Sequence, residues 1–228
     1  MVEKLIPLVV VLLNLVYLIK EHRIVHLLSG LLLGALLVYR SFLVGYPPLF
    51  TPFDSVTLFS SLFFLSSYFL EVGRFASLTG ILLTFPLFFI SNQVREIPPV
   101  VRTPLFFLHV GTAFLSYTLF VISSLFALYS LLKRELPYHK ILLVGHYFFT
   151  LSLFFGGLWA YLAWGDIFPL EPKSFFSLFL WLYVSLLLHL RFEPSFRRWT
   201  PHLTLALAPL VLFVYLGVNY LFGGTHGF

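Results

Sequence analysis

A chain of 228 residues with 60% apolar side chains, 10% charged side chains and no cysteine is not an ordinary soluble domain, because remaining in water takes about a quarter charged residues. The missing thiols exclude iron–sulfur ligation, covalent attachment of haem to this chain and any disulfide relay carried by it. The net charge of +5 does not indicate nucleic acid, since basic residues gathered on one side of a bilayer are the ordinary topogenic signal.

Apolar runs bounded by charge recur at the length of roughly twenty residues that crosses about 30 Å of hydrocarbon. The first, Leu5 to Ile19, has the length of a signal-peptide core. It is followed by Lys20, Glu21, His22 and Arg23 rather than a small-residue cleavage site, so an uncleaved helix is expected. Further runs are Ile24 to Val44, Ser55 to Leu70, Phe75 to Ser91, Pro104 to Leu132, Ile141 to Ala163, Ser174 to Leu190 and Leu203 to Phe222. They are continuously apolar and too long for strands, without the alternation of a barrel wall. The expected fold is an all-α integral membrane protein, one polytopic domain over residues 1–228 with about eight transmembrane helices. No internal repeat interrupts it.

Orientation follows from the basic residues in alternate connections. Lys20, Arg23, Arg74, Lys133, Arg134, Lys140, Arg191, Arg197 and Arg198 fall on one side, against Lys4, Arg40, Arg95, Arg102 and Lys173 on the other. Nine against five puts both termini on the outer face of the plasma (inner) membrane, together with the connections Gly45 to Asp54, Asn92 to Thr103 and Trp164 to Lys173.

Eight histidines are the informative surplus. His109 lies in an uncharged run and stands about 36 Å from the inner-side Lys133 at 1.5 Å per residue, which places it at the outer surface. Thr112, Ser116 and Tyr117 continue its helical face and turn a polar edge into the bundle. His226, four residues beyond the last apolar run, belongs to the same side. His189, two residues before Arg191, lies near the inner face. Any one of these has a plain reading as an interface or tail residue, but an outer pair is the arrangement that supplies two axial imidazoles to a haem iron. His22, His139 and His202 sit among charges in inward connections and are expected to be solvated. His26 and His146 lie near inner helix ends, and either can face His189.

Between Gly156 and Lys173 the outer face gathers Trp159, Trp164, Gly165, Asp166, Phe168, Glu171, Pro172 and Lys173. An interfacial tryptophan alone is expected of an aromatic belt. Here Pro169 and Pro172 also stop any helix and hold the segment extended, which presents aromatic side chains as a platform for a flat apolar ligand.

These residues resemble the tryptophan-rich "WWD" signature of the haem-handling cytochrome c assembly family, in particular its CcsA/ResC subunits of the system II cytochrome c synthetase. The similarity takes in Trp164-Gly165, the aromatic Phe168, Glu171-Pro172-Lys173, and Trp181 before His189-Leu190-Arg191. It extends to Leu108-His109-Val110 through Ser116-Tyr117, to Val218-Asn219-Tyr220 through Thr225-His226-Gly227, and to Pro48-Leu49 with Ser61 to Leu65. Family tryptophans are replaced by Phe168, Leu170 and Phe176, the usual Asp by Glu171 and the usual Glu by Ser174. The resemblance implies haem b as cofactor, with His109 and His226 as axial ligands of an outer site and His189 as ligand of a site within the membrane. Arg95, Arg102 and Lys173 are the outer cations available to haem propionates. It further implies a second membrane subunit of CcsB/ResB type and an apocytochrome c bearing Cys-X-X-Cys-His, to which haem vinyl groups are joined by a haem lyase. Membrane lipid is the remaining partner. A HemX-type regulator of haem synthesis, or a small-molecule transporter with protonatable histidines, are the other readings.

Overall fold

Apolar runs in hydrocarbon fold as helices because a helix satisfies every backbone polar group within the segment. The computed structural model describes residues 2–93, 98–132 and 137–222, and among these residues the regular structure is entirely helical. The chain divides into two compact units, Met1–Thr103 and Pro104–Phe228.

The first unit holds α1 (Val2–Lys20), α2 (Ile24–Val44), α3 (Pro52–Phe69) and α4 (Arg74–Thr84), the last continued by a 3-10 turn at Phe85–Phe88. Thr51 caps α3 by accepting from the Asp54 amide at 3.2 Å, and Pro52 follows at the first helical position, where its missing N–H costs nothing. The interior is unusually polar. Arg40 is fully buried and paired with Asp54 and Glu3, and it donates to the Asn92 carbonyl at 2.9 Å. Lys4 Nζ donates to the carbonyls of Leu87 and Ile90 at 2.6 and 2.7 Å, where the 3-10 turn departs from α-helical bonding. A second network joins Asn14 to Ser29 (2.8 Å), Ser77 to Asn14 (3.1 Å) and Ser77 to His26 Nε2 (2.9 Å). His26 is buried and stacks on Tyr17 with ring centroids 4.4 Å apart.

The second unit holds α5 (Pro104–Leu132), α6 (Tyr138–Trp164), α7 (Pro172–Leu190) and a final broken run: α8 (Thr200–Leu205), α9 (Leu207–Leu212), a π-helical turn (Phe213–Gly217) and α10 (Val218–Phe222). The break at Ala206 has a cause in Pro209, which lacks an amide and crowds the carbonyl four residues back. Neighbouring helices bond to the carbonyls beside the break: that of Thr204 accepts from Ser124 Oγ at 2.9 Å, and that of Leu203 from Tyr183 OH at 2.8 Å as well as from the Ala206 amide. The π turn likewise releases carbonyls, and Lys173 Nζ donates to those of Val214 and Tyr215 at 3.0 Å each.

Among the described residues, six helical segments are long and apolar enough to cross a membrane: α1, α2, α5, α6, α7 and Thr200–Gly217. The third and fourth expected runs do form helices, but α4 with its 3-10 turn is short, and α3 carries buried Asp54, Ser55, Thr57, Ser60, Ser61 and Ser67. The structure is that of a helical membrane protein. His139, expected in a connection, instead lies in the first turn of α6, with its ring 4.1 Å from that of Tyr138.

Because Arg40 is the counter-charge of two carboxylates and is sealed from solvent, Arg40→Ala is expected to destabilise the protein by about 3–5 kcal/mol. Arg23→Ala, which removes an exposed pair with Glu71, should lie within about 1 kcal/mol of the parent. Thermal unfolding of the two variants in detergent micelles provides the comparison.

Candidate functional site

Helices α5, α6 and α7 run antiparallel in succession, so the start of α5, the end of α6 and the start of α7 share one end of the second unit. His109 stands there. Its Nδ1 lies 2.9 Å from the Ser152 carbonyl and 3.1 Å from Ser152 Oγ, while that hydroxyl donates to the His109 carbonyl at 3.0 Å. A carbonyl only accepts, so Nδ1 carries the proton. A neutral imidazole with its proton on Nδ1 carries its lone pair on Nε2, the state in which a histidine binds metal with its other nitrogen held by a backbone acceptor.

Close approach of α5 and α6 makes this bond possible. At Gly156 a Cβ would lie 2.6 Å from His109 Nδ1, nearer than any side chain tolerates. One turn further along α6, the buried Trp159 stacks parallel to the His109 ring, with centroids 6.5 Å apart and planes at 9°. Phe106 packs on Trp159 at 5.2 Å, and Trp164 meets it edge-on at 4.8 Å and 72°. Trp159 thus braces the imidazole from within, whereas Trp164 and Phe168 are about 40% exposed and carry the outward aromatic surface.

The connection that bears them is built by turn chemistry. Gly165 ends α6 in the left-handed region at φ +78°, and its amide bonds to the Tyr161 carbonyl at 2.8 Å, a helix stop that favours glycine. Asp166 Oδ1 accepts from the Phe168 amide at 3.0 Å, an Asx turn. Ile167 folds back against Gly157, where a Cβ would lie 3.1 Å from its Cγ2. Glu171 then occupies the N-cap of α7 and Pro172 its first turn. Lys173, expected among the outward cations, turns instead to the carbonyls of the π turn and lies 6.0 Å from the centre of the Tyr215 ring. Phe176 contacts Phe213 and Phe222, which anchors the end of α10 near this loop.

The other expected site residues are distributed as follows. His226 and Arg95 lie outside the described residues. Arg102, in the first unit, lies over the Tyr46 ring at 5.4 Å. On the face that continues from His109, Ser116 and Tyr117 are buried and Thr112 donates back to the Leu108 carbonyl at 2.6 Å. His189 sits in the last turn of α7, at the opposite end of the unit from His109, with Nδ1 2.7 Å from the Ser185 carbonyl. Of the two histidines that spacing left open as its neighbour, His26 is engaged within the first unit, while His146 bonds to Ser185 Oγ at 3.1 Å. Ser152 has no counterpart among the expected residues. Its signal was periodicity: Ser152, Gly156 and Trp159 follow at steps of four and three on one face of α6.

If Gly156 makes the His109 tautomer possible, Gly156→Ala must displace the ring from Ser152. Nitrogen-15 NMR of histidine-labelled protein is expected to show the Nδ1–H form at His109 in the parent and its loss in the variant.

A profile of the cytochrome C assembly protein family matches residues 29–226. A cytochrome c biogenesis protein CcsA from Chlamydomonas reinhardtii is 26% identical over 90% of this chain and 67% of its own length. One from Prochlorococcus marinus strain AS9601 is 35% identical over 40% of this chain and 29% of its own. Protein NrfI of Wolinella succinogenes is 29% identical over 92% of this chain and 27% of its own length, so the chain spans only part of several relatives it matches. With the profile covering nearly the whole chain, the protein belongs to the cytochrome C assembly protein family.

Proposed function

We propose that this chain serves cytochrome c biogenesis by holding haem b at the outer face of the plasma membrane and presenting it for thioether attachment to apocytochrome c. The observation that carries this reading is the fixed His109 ring, proton on Nδ1 and lone pair on Nε2, beneath an aromatic loop. The donor set fits the cargo. A neutral imidazole suits haem iron, and the exposed rings of Trp164 and Phe168 offer apolar surface to a porphyrin face.

His109 and His226 are the two axial ligands in this reading. His226 follows Phe222 by four residues, and Phe222 packs on Phe176 of α7. Haem, as the cargo, supplies the iron that the imidazoles hold and the vinyl groups that the Cys-X-X-Cys-His thiols add to. The chain supplies position: Ser152 and Trp159 hold His109, and the Gly165–Asp166 turn holds the loop. The resulting rate gain comes from orientation rather than from a protein nucleophile. His189 is the ligand of a second haem position within the membrane, reached from the inner face. All eight helical segments span in this reading, α3 and the shorter α4 included, with both termini outside. A second membrane subunit of CcsB/ResB type completes the synthetase, in which this chain is the haem-binding subunit.

Co-expression with a CcsB-type subunit and an apocytochrome c tests the reading. Covalent haem on the cytochrome, read by in-gel haem staining, should form with the parent chain and fall at least about tenfold with His109→Ala or His226→Ala. Absence of maturation with the parent chain would contradict the synthetase role. It would favour a HemX-like regulator, a reading consistent with Phe168, Leu170 and Phe176 standing where the family has tryptophans.

A further inference from the structure

Helices α6 and α7 carry a second polar cluster, in the half of the unit away from His109. His146 Nε2 lies 3.1 Å from Ser185 Oγ, and the Ser185 carbonyl accepts from His189 Nδ1 at 2.7 Å. The His146 ring packs on that of Trp181, with centroids 5.2 Å apart. Trp181 Nε1 donates to Thr150 Oγ1 at 2.9 Å, and Thr150 Oγ1 donates in turn to the His146 carbonyl at 2.9 Å. The ring is therefore held by α7 through Ser185 and Trp181, and Thr150 ties Trp181 to α6.

Packing alone does not account for a histidine at this position. His146 Nδ1 is buried and, among the described residues, has no hydrogen-bond partner, a destabilising situation that a leucine would avoid. What the ring does contribute is the bond to Ser185. A serine in mid-helix tends to bond back to the carbonyl four residues earlier and bend the helix. With Oγ engaged by His146, the turn from Trp181 to Ser185 is held against α6 instead. That turn ends in the carbonyl on which the His189 ring depends.

We propose that His146 is a positioning residue for His189. Through Ser185 it fixes the α7 carbonyl that holds the His189 proton on Nδ1 and keeps the lone pair on Nε2. The proposal rests on the reading of His189 as the haem ligand within the membrane. Partners of this kind, one bond removed from a ligating histidine, typically change metal affinity 10–100-fold when lost.

The experiment is a titration of haem b into the detergent-purified full chain carrying His109→Ala, so that the Soret band reports the site at His189. His189→Ala should abolish the shift of that band on binding. His146→Leu, which keeps the packing on Trp181, and Ser185→Ala should each weaken binding by about tenfold or more, and together no more than either alone. His146→Gln, whose amide can still reach Ser185, should restore binding and the parent spectrum. A normal dissociation constant for both His146→Leu and Ser185→Ala, in a protein where His189→Ala abolishes binding, would overturn the positioning role alone. Unchanged binding in His189→Ala would overturn the inner haem site and the proposal with it.

Discussion

The bond from His109 Nδ1 to the Ser152 carbonyl, 2.9 Å long, decides the chemistry available at the end of the second unit where α5 begins. A half-buried histidine in a helix bundle carries its proton on the nitrogen that faces an acceptor. A backbone carbonyl provides one without competing for a second proton. Its position depends in turn on α5 and α6 approaching closely at Gly156 and on Trp159 lying flat against the ring. Those features matter because they leave the ring one low-energy state.

The same constraint sorts the remaining polar residues. Arg40 and Lys4 look from composition like exposed outer charges, yet Arg40 is sealed between Asp54 and Glu3 and Lys4 closes the carbonyls of a 3-10 turn. Lys173 is committed to the π turn of the last helix. His26 completes a network with Ser77, Asn14 and Ser29. Arg40 thus neutralises buried carboxylates, Lys4 and Lys173 serve carbonyls of the 3-10 and π turns, and His26 is occupied in a side-chain network. The two histidines on which function is argued, His109 and His189, are both held by Nδ1 on a carbonyl, one on a neighbouring helix and the other on its own.

Much of this was legible in the residues themselves. The apolar runs marked the helices to within a few residues, and the order Gly165, Pro169, Pro172 marked where α6 stops and α7 begins, because glycine and proline act through local backbone geometry. Two kinds of feature escaped. Ser152 and Ser185 act through carbonyl groups, which every residue possesses, so residue type carries no signal of the role. The division of labour between Trp159 and Trp164 depends on which side of α6 faces α5, and both residues satisfy the motif equally. The direction taken by Lys173 depended on a π turn forty residues later, invisible to any local pattern. That His146 and His189 share Ser185 shows only once α6 and α7 lie side by side.

A cysteine-free membrane chain with fixed imidazoles suits a task in which another protein supplies the thiols and this one supplies position. Family membership and the geometry at His109 meet on haem as the cargo. The most direct measurement is the reduced-minus-oxidised spectrum of the chain purified from haem-replete cells. The account predicts the sharp bands of low-spin, bis-imidazole haem b, extracted without covalent attachment; a colourless protein that also takes up no added haem would contradict it.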